Sequence, residues 1–453
     1  MKAIILLGLV ASSSLSAQEA VLDLTKLHSY ADQEVPAYIN RDNTPDNNPI
    51  TNIGATLGRV LFYDKRLSKN STVSCASCHQ QEAAFGDPAV ASVGAAGTTG
   101  RHSMRLVNAR FANERRFFWD ERAPTLEAQT TQPIQDHIEM GFSGADGDPD
   151  LSALVERVSE IELYQVLFTA VYGTSGVTED RMQRALAQFV RSIQSFDSKY
   201  DRGLASASNP NADFTNFTAS ENLGKRIFTR PPGPGGGAGC AACHQPPTFD
   251  IDPNSGHNGV ITSLGGGQDL TNRRSPSLRD LVNAIGGLNG PFMHDGSKAT
   301  LLDVVNHYNA IPALTQGLDP RLAGPPPRPG GPPPQPQRLN LSENEKGALI
   351  DFLGTLAGSN IYRDEKWSSP FDDNDELSFV LLPAEARFSP ENEVMTVEAT
   401  GVPRVTYFLK SSSDLETWND GVAITADQNG LLSHEMQDMP KAKFFCFVYR
   451  SSE

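Results

Sequence analysis

A chain of 453 residues, 38% hydrophobic and 20% charged, is long enough for two or three domains and has the make-up of an ordinary soluble globular protein. A net charge of −16 excludes a nucleic-acid partner, because nothing would neutralise the phosphates. It suits steering toward a basic or weakly polar partner instead.

Residues 1–17 read as an export signal: Lys2 is the charged head, residues 3–10 the apolar run, and small residues lead to Ala17. Leu15 is imperfect for a cut after Ala17, so cleavage after Ser16 is an alternative, and a retained anchor is another. The run is too short to span a bilayer, and no later segment is long enough. The mature chain is therefore expected in the periplasm or outside the cell.

Apolar spacing at Leu57, Val60 and Leu61 predicts a helix over 53–67. Further helices are expected over 126–137, 151–171 and 179–200. In the last, Met182, Leu186, Phe189, Val190, Ile193 and Phe196 share one face. Residues 203–218 read as a connector. A second block repeats the plan: a helix near 221–228, a Gly/Pro-rich loop and a second cysteine pair. Segments 231–239 and 323–337 read as surface insertions. Ser342 and Glu345 form a capping-box signature that opens a helix with Leu349, Phe352, Leu353 and Leu356 inward. From about Glu376 the pattern changes to strands at 394–400, 405–410, 422–426 and 444–449, with Asn429-Gly430 as a hairpin turn. Residues 407–418 resemble a segment common in appended β-modules of exported bacterial proteins. It carries no catalytic group, and a structural role is the better reading.

The five cysteines could form disulfides in an exported protein, but their spacing points elsewhere. Cys75-Ala76-Ser77-Cys78-His79 and Cys240-Ala241-Ala242-Cys243-His244 are both C-x-x-C-H. Two thiols at this spacing can form thioethers to the two vinyl groups of one haem, and the adjacent histidine reaches the iron. A zinc site would gather four ligands, whereas each pair here carries its own histidine far from the other. Two covalently attached haem c groups follow. Cys446 reads as a buried free thiol in a strand. The expected fold is mainly α: two tandem c-type cytochrome haem units, 22–202 and 203–362, and a small β-rich accessory domain, 376–453.

Several longer motifs, in order, carry a resemblance over about 52–358. They are Leu57-Gly58-Arg59-Val60-Leu61-Phe62, the first haem motif, Phe118-Trp119-Asp120, Leu126-Glu127-Ala128-Gln129, Pro133 and Glu139-Met140. The second haem motif and Pro291-Phe292-Met293-His294-Asp295-Gly296 complete the set. This pattern resembles the bacterial dihaem cytochrome c peroxidase family, and within it the MauG-like branch.

The resemblance implies that the haem on Cys75 and Cys78, with His79 as its iron ligand, is the peroxidatic one. The haem on Cys240 and Cys243, with His244, is the electron-transfer haem. Trp119 lies where the family has a tryptophan between the haems. Gln129, Pro133 and Glu139 match the distal-pocket trio, with Glu139 as the acid–base group that peroxide cleavage requires. The second axial ligand of the electron-transfer haem, commonly methionine, falls on Tyr308. A phenolate there would lower that haem's potential. His307 is its competitor, about 100° away on a helix.

Two departures stand out. The loop 87–100, where many relatives carry a histidine that blocks the first iron, has none. An open five-coordinate iron is expected, with His102 as a possible sixth ligand. His102 also replaces an asparagine of the family's interdomain calcium site, whose other donors match the backbone oxygens of Asn289 and Pro291. An imidazole is a poor calcium ligand. His294 reads as a structural hydrogen-bonder, and His28, His137, His257 and His434 have no nameable partner.

The function implied is a hydrogen-peroxide reductase fed by a small cytochrome or copper protein. One alternative is a MauG-like oxidase that uses high-valent haem iron to modify a protein substrate. Another is a non-catalytic electron carrier, which has no use for Gln129 and Glu139.

Overall fold

The computed structural model describes residues 20–233, 236–323, 335–389, 393–415, 417–419, 421–436 and 444–450. The expected export signal lies outside them, as do most of the 323–337 insertion and the centre of the 231–239 loop. Helices hold 29% of the residues and strands 17%. Mainly α is therefore too simple a description, because long irregular segments separate each haem motif from the next helix.

In the first unit the helices are α1 (Asn52–Tyr63), α2 (Cys75–Cys78), α3 (Leu126–Thr130), α4 (Leu151–Glu160), α5 (Glu162–Tyr172) and α6 (Glu179–Ser192). Thr51 caps α1 by accepting from the Gly54 amide. The expected helix over 126–137 stops at Thr130, just ahead of Pro133, whose ring disfavours helical geometry before it. The expected 151–171 helix breaks at Ile161, which is extended. The expected 179–200 helix ends at Ser192, because Ile193 turns extended and its carbonyl accepts from the Asn108 amide at 2.9 Å. Phe196 consequently lies off the helix and packs edge-on against Phe111.

The second unit holds α7 (Lys199–Ser206), α8 (Ala219–Thr229), a two-residue ladder of β2 (His244–Gln245) and β3 (Asp250–Ile251), α9 (Leu301–Asn309) and α10 (Glu343–Gly354). α7 occupies the start of the expected connector. The capping box at Ser342 and Glu345 is present.

The two units are built alike. Leu57-Gly58-Arg59-Val60-Leu61-Phe62 on α1 has its counterpart in Leu223-Gly224-Lys225-Arg226-Ile227-Phe228 on α8. Both glycines let two helices meet backbone to backbone. A Cβ on Gly58 would lie 2.0 Å from the Ala185 carbonyl oxygen of α6, and one on Gly224 would lie 1.9 Å from that of Ala348 on α10. Left-handed residues recur at matching places too: Phe85 and Phe249, Asn108 and Asp280, Phe118 and Met293. Aligned on Asn108 and Asp280, segment 101–108 corresponds to 273–280.

The tail forms two sheets. One has the order β1 (Val21–Asp23), β4 (Phe379–Pro383), β10 (Phe444–Arg450), β7 (Thr406–Ser412), β8 (Val422–Thr425), with β1 parallel to β4. The other has the order β5 (Glu385–Ser389), β6 (Val394–Thr400), β9 (Leu431–Met436). Asn429-Gly430 is a tight turn with Gly430 at φ +84°, but it does not close the expected hairpin. β8 pairs with β7 and β9 with β6, so the turn passes the chain from one sheet to the other. Cys446 is fully buried in β10.

Two apolar cores result. One joins α1, α5 and α6 to Leu22, Val380, Tyr407, Phe447 and Tyr449, so the first unit and the tail share it. The second lies within 200–356, around Phe249 and Phe352.

Candidate functional site

Each C-x-x-C-H segment borders a cavity. The first cavity, about 520 Å³, is lined by His79, Gln129, Pro133 and Glu139 among others. His79 follows α2 directly, and its Nδ1 faces the Phe85 carbonyl oxygen at 3.3 Å, which orients the ring. Burial pulls the His79 imidazole down to about 4, leaving it neutral as a metal ligand must be. Cys75 and Cys78 do not line this cavity but sit half-buried one helical turn before it. Burial pushes their thiols up to about 12 and about 11.

Glu139 is held by its backbone. Gly94 packs so closely that a Cβ there would meet the Ile138 carbonyl oxygen at 2.1 Å, and the Ala95 amide donates to Glu139 O at 2.8 Å. The Glu139 amide donates in turn to Asp136 Oδ1 at 3.0 Å. Burial raises the Glu139 carboxyl to about 7; Asp136 adds to the rise and Arg122 opposes it.

The second cavity, about 650 Å³, is lined by Cys240, Cys243, His244 and Tyr308 together with Met293 and Asn258. Burial again lowers the histidine, His244, to about 4, and its Nδ1 is buried without a partner. Asn258 Nδ2 donates to Tyr308 Oη at 3.3 Å and to Met293 Sδ at 3.2 Å. His307 takes no place in this lining: its Nε2 lies 2.9 Å from the Asn258 carbonyl oxygen. One residue step on α9 therefore turns Tyr308 to the cavity and His307 away from it.

The wall between the cavities is shared. His102, Ser103, Met104, Arg105, Trp119, Ile251, Arg274, Ser275 and Pro276 line both. It is cross-stitched by matching bonds: the His102 amide donates to His294 O at 2.7 Å, and the Arg274 amide donates to Trp119 O at 3.0 Å. Trp119 Nε1 donates to His102 O at 2.8 Å, and its ring meets that of His294 edge-on. His102 Nδ1 lies 3.0 Å from the Ala89 carbonyl oxygen.

These surroundings fit two haem groups. The cavities fall within the roughly 300–1,000 Å³ typical of cofactor sites. Each has a neutral histidine in its lining; the second also has its thiol pair there, while the first has its pair just ahead of His79 in the chain, and His244 Nδ1 is unused. The calcium donors are less well suited, since Asn289 O already accepts from Arg105 Nη1 at 3.2 Å. Among the described residues no group of three His, Cys, Asp or Glu side chains could hold a metal ion. His137 and His257 find structural partners in Asp148 and the Gln316 carbonyl. Asn258 and Arg105 were not singled out from sequence. Comparing the repeats would have marked Arg105, which stands opposite Ser277, whereas nothing local marks Asn258.

Comparison with known proteins agrees with this geometry. A family model described as Di-haem cytochrome c peroxidase matches residues 53–209. The methylamine utilization protein MauG of Methylophilus methylotrophus is 31% identical over 325 residues, covering 69% of this chain and 85% of that protein. Cytochrome c551 peroxidase of Nitrosomonas europaea is 29% identical, over 58% of this chain and 73% of its own. Among solved structures, a MauG-like protein associated with microbial copper homeostasis superposes with a TM-score of 0.58 at 27% identity, over 74% of this chain and 98% of its own. Two haem-motif cavities joined by one wall, and relatives spanning most of both chains, lead to one conclusion: the chain belongs to the di-haem cytochrome c peroxidase family that includes MauG, and it carries two covalently bound haem c groups.

Proposed function

We propose that the protein is an exported peroxidase. It reduces hydrogen peroxide to two waters with two protons and two electrons drawn from a small cytochrome or copper protein. The observation that carries this reading is the placement of Glu139, with Gln129 and Pro133, in one cavity wall with His79. Cys75, Cys78 and His79 would hold one haem; Cys240, Cys243, His244 and Tyr308 the other. When bound, the two groups supply the iron that takes peroxide and the electrons that split it. Glu139 takes a proton from one peroxide oxygen and returns it to the other, which leaves as water. The Gln129 amide orients the peroxide, and Pro133 shapes the wall. Trp119, in the wall of both cavities, relays charge between them. Export rests on the signal-like residues 1–17.

A second reading draws on Tyr308. A phenolate ligand donates charge and lowers a haem potential relative to a thioether, which suits a MauG-like oxidase acting on a protein substrate. One experiment addresses both: the fully oxidised protein is titrated with hydrogen peroxide, without reductant, and followed by absorbance and EPR. Prompt loss of the high-spin ferric signal is expected, and steady turnover on adding a reduced small cytochrome favours the peroxidase. Reaction without such turnover favours the oxidase. No reaction until one haem is reduced overturns the open first site and points to His102 as its cap.

A further inference from the structure

The junction between the two cavities holds an arginine with no obvious reason to be there. Arg105 is half-buried and lines both cavities. Its Nη1 donates to Asn289 O, and its Nε is buried without a partner. No ion pair joins it to a carboxylate among the described residues. The acid that acts on it most is Asp280, whose Oδ1 is taken by the Gly358 amide and the Tyr362 hydroxyl. A guanidinium with a buried, unpartnered Nε and no carboxylate bonded to it is costly unless an anion completes it. The matching residue of the second unit is Ser277, an uncharged side chain bonded to the Thr248 carbonyl, so repeat architecture alone does not ask for a charge here.

The same guanidinium bears on the calcium site that the family resemblance suggests. Two of its three donors are compromised: His102 replaces an oxygen ligand, and Asn289 O is engaged by a positive group. A divalent cation on that oxygen would sit against the guanidinium.

We propose that Arg105 is the resident cation of this junction, standing in for calcium and pairing with the propionate carboxylates of bound haem. The proposal rests on the two-haem reading. Its test uses the purified holoprotein, with haem counted by the pyridine haemochrome spectrum, calcium by elemental analysis, and both midpoint potentials by spectroelectrochemistry, with and without EGTA. We expect two haems per chain, no stoichiometric calcium, and potentials indifferent to the chelator. In Arg105→Ser, loss of a positive charge stabilises the oxidised state. At least one potential should therefore fall, and Arg105→Lys should recover most of the shift.

Stoichiometric calcium with both haems present overturns the proposal, as do unchanged potentials in Arg105→Ser. Fewer than two haems in the wild type would instead sink the reading on which it rests. If Arg105→Ser loads no haem, the wild-type calcium content and chelator response still decide the calcium question, and Arg105→Lys against Arg105→Gln decides the charge.

Discussion

The Glu139 carboxyl, desolvated in the cavity wall and close to Asp136, is half-ionised at about pH 7 instead of in the usual carboxylate range. As a proton acceptor it works only when ionised, and the raised value means the ionised fraction grows as pH passes upward through 7. The rate of the peroxide step should therefore climb between about pH 6 and 8 and then level off. Glu139→Gln should lose that slope and slow the step by roughly 10²–10⁴-fold while both haems stay attached. Stopped-flow absorbance across pH checks both, and a Gln variant with wild-type rate and slope removes Glu139 from the mechanism. Tyr308 permits an equally direct test. If it ligates the second iron, Tyr308→Phe should change the ferric spectrum of that haem and leave the haem at His79 alone. An unchanged spectrum would rule out phenolate ligation.

At the scale of elements, the helix pairs α1–α6 and α8–α10 depend on glycines that admit a backbone carbonyl within 2.0 Å and 1.9 Å of a would-be Cβ. Backbone cannot rotate away as a side chain can. Gly58→Ala and Gly224→Ala should each cost at least the roughly 1–3 kcal/mol typical of overpacking, seen as a lowered Tm by circular dichroism. An unchanged Tm in both would mean that the helices slide apart freely.

The same elements show what could be read from residues alone. Helix starts were legible where a local signal makes them, as with Ser342 and Glu345, and so were the two haem motifs, whose chemistry is carried by five consecutive residues. Helix ends were not legible, because distant partners set them: α6 stops where Asn108 engages Ile193 and Ser195. The family position already falls on Tyr308; what the sequence does not show is Asn258, fifty positions away, which bonds both it and His307. Arg105 meets Asn289 across 184 positions, beyond any local pattern.

Across the whole molecule, the tail is built into the first unit. Val380, Tyr407, Phe447 and Tyr449 belong to the same apolar cluster as α1 and α6, and the Tyr449 hydroxyl donates to Glu162 Oε2 on α5 at 2.9 Å. A chain ending at residue 370 should therefore expose much of that core. Its Tm should fall by several degrees, with reduced soluble yield, whereas a self-contained module could be removed without effect. Differential scanning calorimetry of the two holoproteins separates these outcomes. The cross-stitched wall works in the other direction: amides of each unit bond the aromatic turn of the other, which fixes the separation of the two cavities as a property of the whole.

The parallel pairing of Val21–Asp23 with Phe379–Leu381 sets an order of events. The strand nearest the start of the chain has no partner until nearly all of the remainder has been made. β4 is itself flanked by β10, close to the other end. Closing a loop of this size costs entropy that rises slowly with its length, and so non-local a contact comes late in folding. Until β4 is made the 21–23 segment stays unpaired, accessible to whatever handles the nascent chain, and its docking marks the assembly of the shared sheet. A protease-sensitive bond near residue 25 would thus report, as folding proceeds, the moment at which β1 joins β4.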